Sequence, residues 1–198
     1  PGPQRRQGGL LIFDDKRNLM EYIPSGGLRP LSLRGAAEWG SFSDALGYEG
    51  SLYILDPLAH QVWRYQPTDS GYDSERRGRL DGVRLDGAQA MAIDGNIYVL
   101  VDSSRIRRVV PNPPLEFQGD YLGDPPTDAT RIFTSSVAQK VYLLEPAKRR
   151  ILVFTKEGRY ERQLANTPAG VTSLFVDEGE RRILVTEGSR LHQIALPP

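Results

Sequence analysis

Five acidic residues recur along this chain at nearly regular intervals, and each is followed by a candidate basic partner. The acids lie 42 to 46 residues apart, at Asp14, Asp56, Asp102, Glu145 and Glu187. The basic partners are Arg17, Arg105, Arg150 and Arg190, with His60 taking that place in the second copy. A carboxylate beside a cation can hold a polar ligand, but it can also accept backbone N–H groups and fix a turn. Regular recurrence favours the structural role, a lock within or between repeats.

Other side chains suggest metal or acid–base chemistry. Carboxylates expected in loops are Asp14, Asp15, Asp120, Asp124, Asp128, Asp177 and Glu178. Several such oxygens converging on one point would suit Ca²⁺ or a catalytic pair. The two histidines, His60 and His192, fall in or near strands and are expected to be polar strand residues. We therefore predict no catalytic residue, no metal ligand and no cofactor, and keep Ca²⁺ as the alternative.

Two basic runs follow the acids of the third and fourth copies, and their charge exceeds what the repeat needs. We predict an interaction surface made of Arg105, Arg107, Arg108, Lys148, Arg149 and Arg150, with Trp39 as an aromatic contact residue. Such a basic face is also a feature of RNA-binding surfaces. The chain as a whole has 25 basic and 25 acidic residues and hence no net charge, which disfavours nucleic acid as the partner.

Composition limits the class of protein. The chain has 198 residues, of which 39% are hydrophobic and 25% charged, as in an ordinary globular domain. It has no cysteine, which excludes disulfides and thiol nucleophiles and leaves the compartment open. No apolar run approaches the roughly 18 residues of a membrane span. Since the sequence starts at Pro1, we expect processing or a tag, and residues 1–9 are predicted to be a flexible lead-in or tag remnant.

Strand signals surround the acids. Each acid follows a short apolar run, at residues 10–13, 52–55, 97–101, 141–144 and 183–185. After each acid comes a second strand with two apolar residues three positions apart. Copies two to five have a further strand upstream, at 43–46, 90–93, 131–134 and 172–176. A polar fourth strand is predicted at 27–33, 79–85, 116–122 and 159–164, and residues 66–78 are predicted to be a loop. Continuous apolarity predicts inner strands buried on both faces.

These units predict an all-β fold, a β-propeller of about five four-stranded antiparallel repeats. After the lead-in, residues 10–198 form one domain, with copies at about 10–38, 39–86, 87–128, 129–168 and 169–198. The first copy lacks its innermost strand and the last its outermost strand, so two sheet edges are predicted to be open. We expect five blades or blade-like units that form a closed or nearly closed propeller. The alternatives are an incomplete propeller, a piece of a larger one, or a homo-oligomer that pairs through these edges.

The fourth copy carries a family resemblance. Residues 141–145 read Val-Tyr-Leu-Leu-Glu, 150–154 read Arg-Ile-Leu-Val-Phe, and 156–158 read Lys-Glu-Gly. This order resembles the NHL-repeat family, and the resemblance covers residues 10–196. It implies a propeller that serves as a sensor or scaffold module in bacterial signalling and envelope proteins. It also implies an extracytoplasmic location, with a cytoplasmic one as the alternative.

Three functions are compatible with these features. The leading hypothesis is a non-enzymatic module that binds a protein, a peptide or a small ligand on one propeller face. The second is a metal-dependent propeller hydrolase or lyase that uses loop carboxylates. The third is RNA binding through a basic face. The sequence contains none of the common nucleophile or phosphate-loop motifs, which is why the binding module comes first.

Overall fold

The computed structural model describes residues 10–72, 74–110, 113–117 and 121–197, which fold mainly into short β-strands. The predicted lead-in at 1–9 lies outside these residues. The chain divides into two compact units, Pro1–Asp81 and Gly82–Pro198. No helix among the described residues has both the length and the apolar character to cross a bilayer.

Unit 1 holds two sheets. Its strands are β1 (Leu10–Phe13), β2 (Leu19–Ile23), β3 (Gly27–Leu33), β4 (Asp44–Tyr48), β5 (Ser51–Asp56), β6 (Gln61–Tyr65), β7 (Gly71–Tyr72) and β8 (Arg77–Gly78), with a 3-10 turn at Ala36–Glu38. The first sheet has the order β1-β2-β3-β7 and the second β4-β5-β6-β8. All pairs are antiparallel except β3 with β7. In the chain, β7 lies between β6 and β8, two strands of the second sheet.

Unit 2 holds three sheets. Its strands are β9 (Ala88–Ile93), β10 (Ile97–Val101), β11 (Arg105–Val110), β12 (Leu115–Glu116), β13 (Arg131–Phe133), β14 (Lys140–Glu145), β15 (Arg150–Thr155), β16 (Tyr160–Ala165), β17 (Phe175–Asp177), β18 (Arg182–Glu187) and β19 (Arg190–Ala195), with a 3-10 turn at Tyr121–Gly123. The sheet orders are β12-β11-β10-β9, β13-β14-β15-β16 and β17-β18-β19.

One small sheet per repeat, built from consecutive antiparallel strands, is the blade of a β-propeller. The predicted fold class, an all-β propeller of about five blades, is confirmed. The incomplete blades also match the prediction. Within the described residues the first sheet begins at its acid-bearing strand, and the last sheet has three strands.

The spacing of apolar residues explains how the blades pack. In β15, Ile151 and Phe154 lie three positions apart and therefore point to opposite faces of the strand. Phe154 packs with residues of the third sheet such as Tyr98, while Ile151 packs with residues of the fifth sheet such as Ile183. A strand between two neighbouring blades must be apolar on both faces, which is why β14 reads as a continuous apolar run: Val141 and Leu143 pack in one cluster and Tyr142 and Leu144 in the other.

Turns follow from residues that accept positive φ. Glu49 and Gly50 have φ of 47° and 72° and join β4 to β5, because Tyr48 pairs directly with Ser51. Two positive φ values in a two-residue loop give the hairpin geometry that suits twisted strands. Gly95, with φ of 108°, lies in the loop from β9 to β10, where the sequence predicts a tight turn.

Three segment predictions need correction. Residues 79–85 do not form a strand; the Gln61 side chain accepts the N–H groups of Arg79 and Leu80 in place of a ladder partner. The predicted loop at 66–78 contains the short strands β7 and β8. Of the predicted strand at 116–122, only residue 116 lies in a strand, residues 121 and 122 belong to a 3-10 turn, and residues 118–120 are outside the described residues.

Candidate binding site

The acid of the fourth blade is a buried structural lock. Glu145 is fully buried at the end of β14, and one of its oxygens accepts the backbone N–H groups of Thr127 and Asp128 at 2.8 and 3.2 Å. The other oxygen accepts the Arg150 Nε–H at 2.7 Å. Arg150 is itself buried and also donates to the Asp124 carboxylate at 2.9 Å. The predicted acid–arginine pair therefore connects the β14–β15 hairpin to the loop that precedes β13.

The second blade builds the same lock with a different donor. Asp56 is fully buried, and its carboxylate accepts the backbone N–H groups of Gly40, Ser41 and Ala59. The Trp63 indole N–H donates to it at 3.1 Å. Burial alone would raise the pKa of Asp56, but these hydrogen bonds outweigh it, and the pKa lies below its ordinary value.

We expect Asp56 to make stability depend on acid pH. A carboxylate whose pKa is lower in the folded protein stabilises it above the unfolded pKa, which is about 3.9. That contribution is lost as pH falls through the folded pKa. Urea unfolding from pH 7 to pH 3 should therefore show wild type losing its advantage over Asp56→Asn as the pH drops below about 4. An unchanged difference across this range would contradict the assignment.

The structure corrects the predicted basic position in two blades. Arg150 lies directly opposite Glu145 in the ladder, but the residue opposite Asp56 is Gln61. His60 has φ of 49° and corresponds to Arg149, which has the same φ. In the first blade the Asp14 N–H donates to the Asn18 carbonyl, so Asn18 is the residue opposite that acid. His60 and Arg17 are thus turn residues in the left-handed conformation rather than the basic partner.

The predicted basic surface is largely paired within the chain. Arg105 forms an ion pair with Asp102 at 2.7 Å, and Arg107 forms one with Glu116. Lys148 contacts Asp124 and the Pro125 carbonyl, while Arg149 donates to the Thr167 carbonyl. Arg108 is half-buried, and Arg150 is the buried lock residue. Of these six side chains, Arg105 and Arg149 are the exposed ones.

The two tryptophans differ in burial. Trp39 is buried, donates its indole N–H to the Tyr65 hydroxyl at 2.8 Å and stacks on Phe42 with ring centroids 5.6 Å apart. It is a core residue, and this burial disfavours the predicted contact with a partner. Trp63 is half-buried, and the Arg76 guanidinium lies 4.4 Å from its ring centroid.

The loop carboxylates mostly accept hydrogen bonds from their own surroundings. Asp124 binds Lys148 and Arg150, Asp177 binds Arg182, and Glu178 accepts the Tyr142 hydroxyl at 2.9 Å. Asp120 lies outside the described residues. Among the described residues, no three acidic or histidine side chains converge into a group suited to a metal ion. His192 lies 2.9 Å from the repeat acid Glu187.

The most prominent exposed surface is apolar and lies on the first sheet. Strand register places two rows of side chains on one face: Leu10, Tyr22 and Leu28, then Ile12, Met20 and Pro30. The side chains of Leu10, Tyr22 and Leu28 are 63%, 39% and 56% exposed. We call these six residues the outer face of the first sheet. The sequence contains a signal for this face. Every residue of β1 is apolar, and such a strand is expected to be covered on both faces.

An apolar groove of about 300 Å³ adjoins this face along β1. It is lined by Leu10, Leu11, Phe13, Ala45, Leu46, Gly47 and Leu52. Three of these residues come from β1 and three from β4, the inner strand of the second sheet. The lining contains no charged side chain. The groove thus lies within unit 1, between the first strand of one blade and the inner strand of the next.

The fold and its exposed apolar surface define a propeller of undetermined function, and comparison with known proteins supports the fold. No protein-family model and no curated protein sequence matches the chain. A gluconolactonase, XC5397 of Xanthomonas campestris, has 17% identity and a TM-score of 0.57, with 94% of this chain and 71% of that chain covered. A streptogramin B lyase has 12% identity and a TM-score of 0.53, with 98% of this chain and 67% of that chain covered.

A Kluyveromyces lactis Hsv2 structure has 10% identity and a TM-score of 0.54, with 98% of this chain and 60% of that chain covered. This chain therefore spans about three fifths to seven tenths of the length of the three structures. At such low identity these likenesses establish the fold alone.

Proposed function

We propose that this chain is a non-enzymatic binding module that recognises a protein or peptide through the first sheet. The observation that carries the proposal is the outer face of the first sheet, six apolar side chains in two adjacent rows. Contiguous apolar surface is costly in water and commonly marks an interaction site. The charged candidates support the same choice, because most of them already have partners in the chain.

The blades are, in this proposal, NHL-type repeats that serve as a sensor or scaffold module. Support comes from the fourth blade, where the acid and the arginine of the motif face each other in the ladder. A role in bacterial signalling or envelope proteins, with an extracytoplasmic location, follows the same resemblance. Edge pairing between two copies remains a further proposal and is tested by the mass of the chain in solution.

Selection from a displayed peptide library against the immobilised chain tests the binding function. We expect apolar peptides to be enriched and the double variant Tyr22→Glu/Leu28→Glu to bind them at least tenfold more weakly. Both side chains are exposed, so the fold should be retained. The matched control is Leu58→Glu/Val137→Glu, which places the same two charges on other exposed apolar side chains. Failure to enrich any peptide, or equal binding by the double variant, would overturn the proposal.

The two alternatives make different predictions. A metal-dependent hydrolase or lyase should retain Ca²⁺ after purification and lose its activity with a chelator. An RNA-binding propeller should bind single-stranded RNA with an affinity that falls steeply as salt rises. Exposed Arg149 is the favoured contact for the second alternative, because it belongs to the predicted basic surface.

A further inference from the structure

The first sheet lacks the strand with which every other blade begins. In the other four blades an inner strand pairs antiparallel with the acid-bearing strand: β4 with β5, β9 with β10, β13 with β14 and β17 with β18. Because Asp14 follows β1, β1 corresponds to the acid-bearing strands. Within the described residues β1 pairs with β2 on one side and forms the edge of its sheet on the other.

β1 is more exposed than the corresponding strands of the next two blades. β5 and β10 are buried at every position, whereas Leu10 and Ile12 in β1 are exposed. The groove lined by β1 and β4 runs along this open edge. A strand edge presents backbone N–H and C=O groups that a further strand can pair with. The site therefore combines a hydrogen-bonding edge with an apolar floor.

We propose that an extended segment of a partner polypeptide binds in this groove and adds to β1 as the inner strand of the first sheet. The proposal rests on the proposed binding function and specifies its ligand. Peptide addition to a sheet edge gains main-chain hydrogen bonds from the edge and side-chain specificity from the floor. The added strand runs antiparallel to β1, as the inner strands of the other four blades do.

The third blade indicates the side chains that the peptide needs. Its inner strand β9 carries Ala90 and Ala92, which pack in one cluster with Ile132 of the next inner strand, β13. The groove faces the corresponding strand of the second blade, at Ala45, Leu46 and Gly47. The matching ligand is thus an uncharged strand with small aliphatic side chains at alternate positions, about four to six residues long.

Residues 1–9 are a poor source of this strand. Residues 1–9 contain two prolines and three glycines, but no Ala, Val, Leu, Ile, Met or aromatic residue to fill an apolar groove. Proline also lacks the N–H that a ladder requires. The open β1 edge of a second copy carries Leu10, Leu11, Ile12 and Phe13, which are larger than the small side chains that the third blade indicates. A separate polypeptide with an unpaired apolar segment meets the requirement without unpairing a strand.

A synthetic peptide with the uncharged sequence of residues 87–93, capped at both ends and labelled with fluorescein, tests the proposal. We expect saturable binding by fluorescence anisotropy. N-methylation of alternate backbone nitrogens should weaken it at least tenfold, because it removes ladder donors. Leu46→Asp, which puts a charge into the groove, should weaken binding at least tenfold, whereas Leu58→Asp should keep affinity within about twofold. Amide hydrogen exchange at residues 10–13 should slow at least tenfold when the peptide binds.

Each of several outcomes would overturn strand addition. They are no binding up to millimolar peptide, equal binding of the N-methylated peptide, unchanged exchange at residues 10–13, and peptide affinity that rises tenfold on deleting residues 1–9, which would show that the chain fills its own groove. A stable dimer broken by Leu46→Asp would assign the groove to a second copy and would also overturn it. Library peptides that depend on the outer face but leave residues 10–13 unprotected would retain the binding function and reject only the strand addition.

Discussion

Replacing Arg150 with methionine is expected to lower the free energy of unfolding by about 3–5 kcal/mol, because it removes one member of a buried ion pair. Glu145 would keep the two N–H donors from Thr127 and Asp128 but lose its buried charged partner at 2.7 Å. The half-buried Lys148, 3.7 Å from Glu145, would remain as a more distant cation. Methionine retains most of the side-chain volume, so the loss reports on charge rather than on a cavity. Urea denaturation at pH 7 provides the measurement.

The third blade offers the matched control. Asp102 and Arg105 form the same type of contact at 2.7 Å, but both side chains are more than half exposed. Exposed pairs contribute at most about 1 kcal/mol, so Arg105→Met should change stability by no more than that. Equal effects of the two substitutions would show that burial does not determine how much the Glu145–Arg150 pair contributes to stability. Replacing both Glu145 and Arg150 by apolar residues should recover part of the loss, because no unpaired charge remains.

Phe154→Ala is expected to destabilise the protein by about 3–5 kcal/mol, the usual cost of truncating a buried aromatic residue to alanine. Phe154 is buried and lies among Phe117, Tyr121 and Tyr160, with ring centroids 5.6, 6.1 and 5.9 Å away. Truncation leaves a cavity lined by large, rigid rings, which relax poorly. Urea unfolding monitored by tyrosine and tryptophan fluorescence measures the change.

Phe175→Ala is the control for this second prediction. Phe175 also contacts another aromatic ring, that of Phe133 at 5.3 Å, but about half of its side chain is exposed. Its truncation should cost less than half as much as that of Phe154. Equal losses would show that burial of Phe154 within its aromatic cluster does not set the cost of its truncation.

The blades could be predicted from the sequence because their central strands are buried on both faces. Strands such as Ile97–Val101 are continuous apolar runs because both of their faces are buried, and the bounds of this strand could be predicted to the residue. The outer strands were less predictable because they are short and polar. Residues 79–85 alternate enough to suggest a strand, yet at its start the Gln61 side chain accepts the N–H groups of Arg79 and Leu80. A side chain that replaces a ladder leaves no periodic signal.

The candidate site was harder to predict than the fold. The basic residues drew attention because charge is visible in a sequence, but their partners are not. Arg107 meets Glu116, and Lys148 meets Asp124, from segments 9 and 24 positions away in the chain. The open edge of β1, in contrast, follows directly from counting strands in the first repeat. The groove beside it depends on how β1 and β4 approach each other, which only the folded chain specifies.

The parallel pairing of β7 with β3 has a consequence for the order of synthesis. The outermost strand of the first blade is residues 71–72, which leave the ribosome after the three main strands of the second blade. The N-terminal blade therefore cannot be completed by local hairpins as it emerges, and must wait for a contact about 40 residues away in the chain. Until then the apolar strands of the first blade remain exposed. The first blade is therefore expected to need chaperone protection during synthesis.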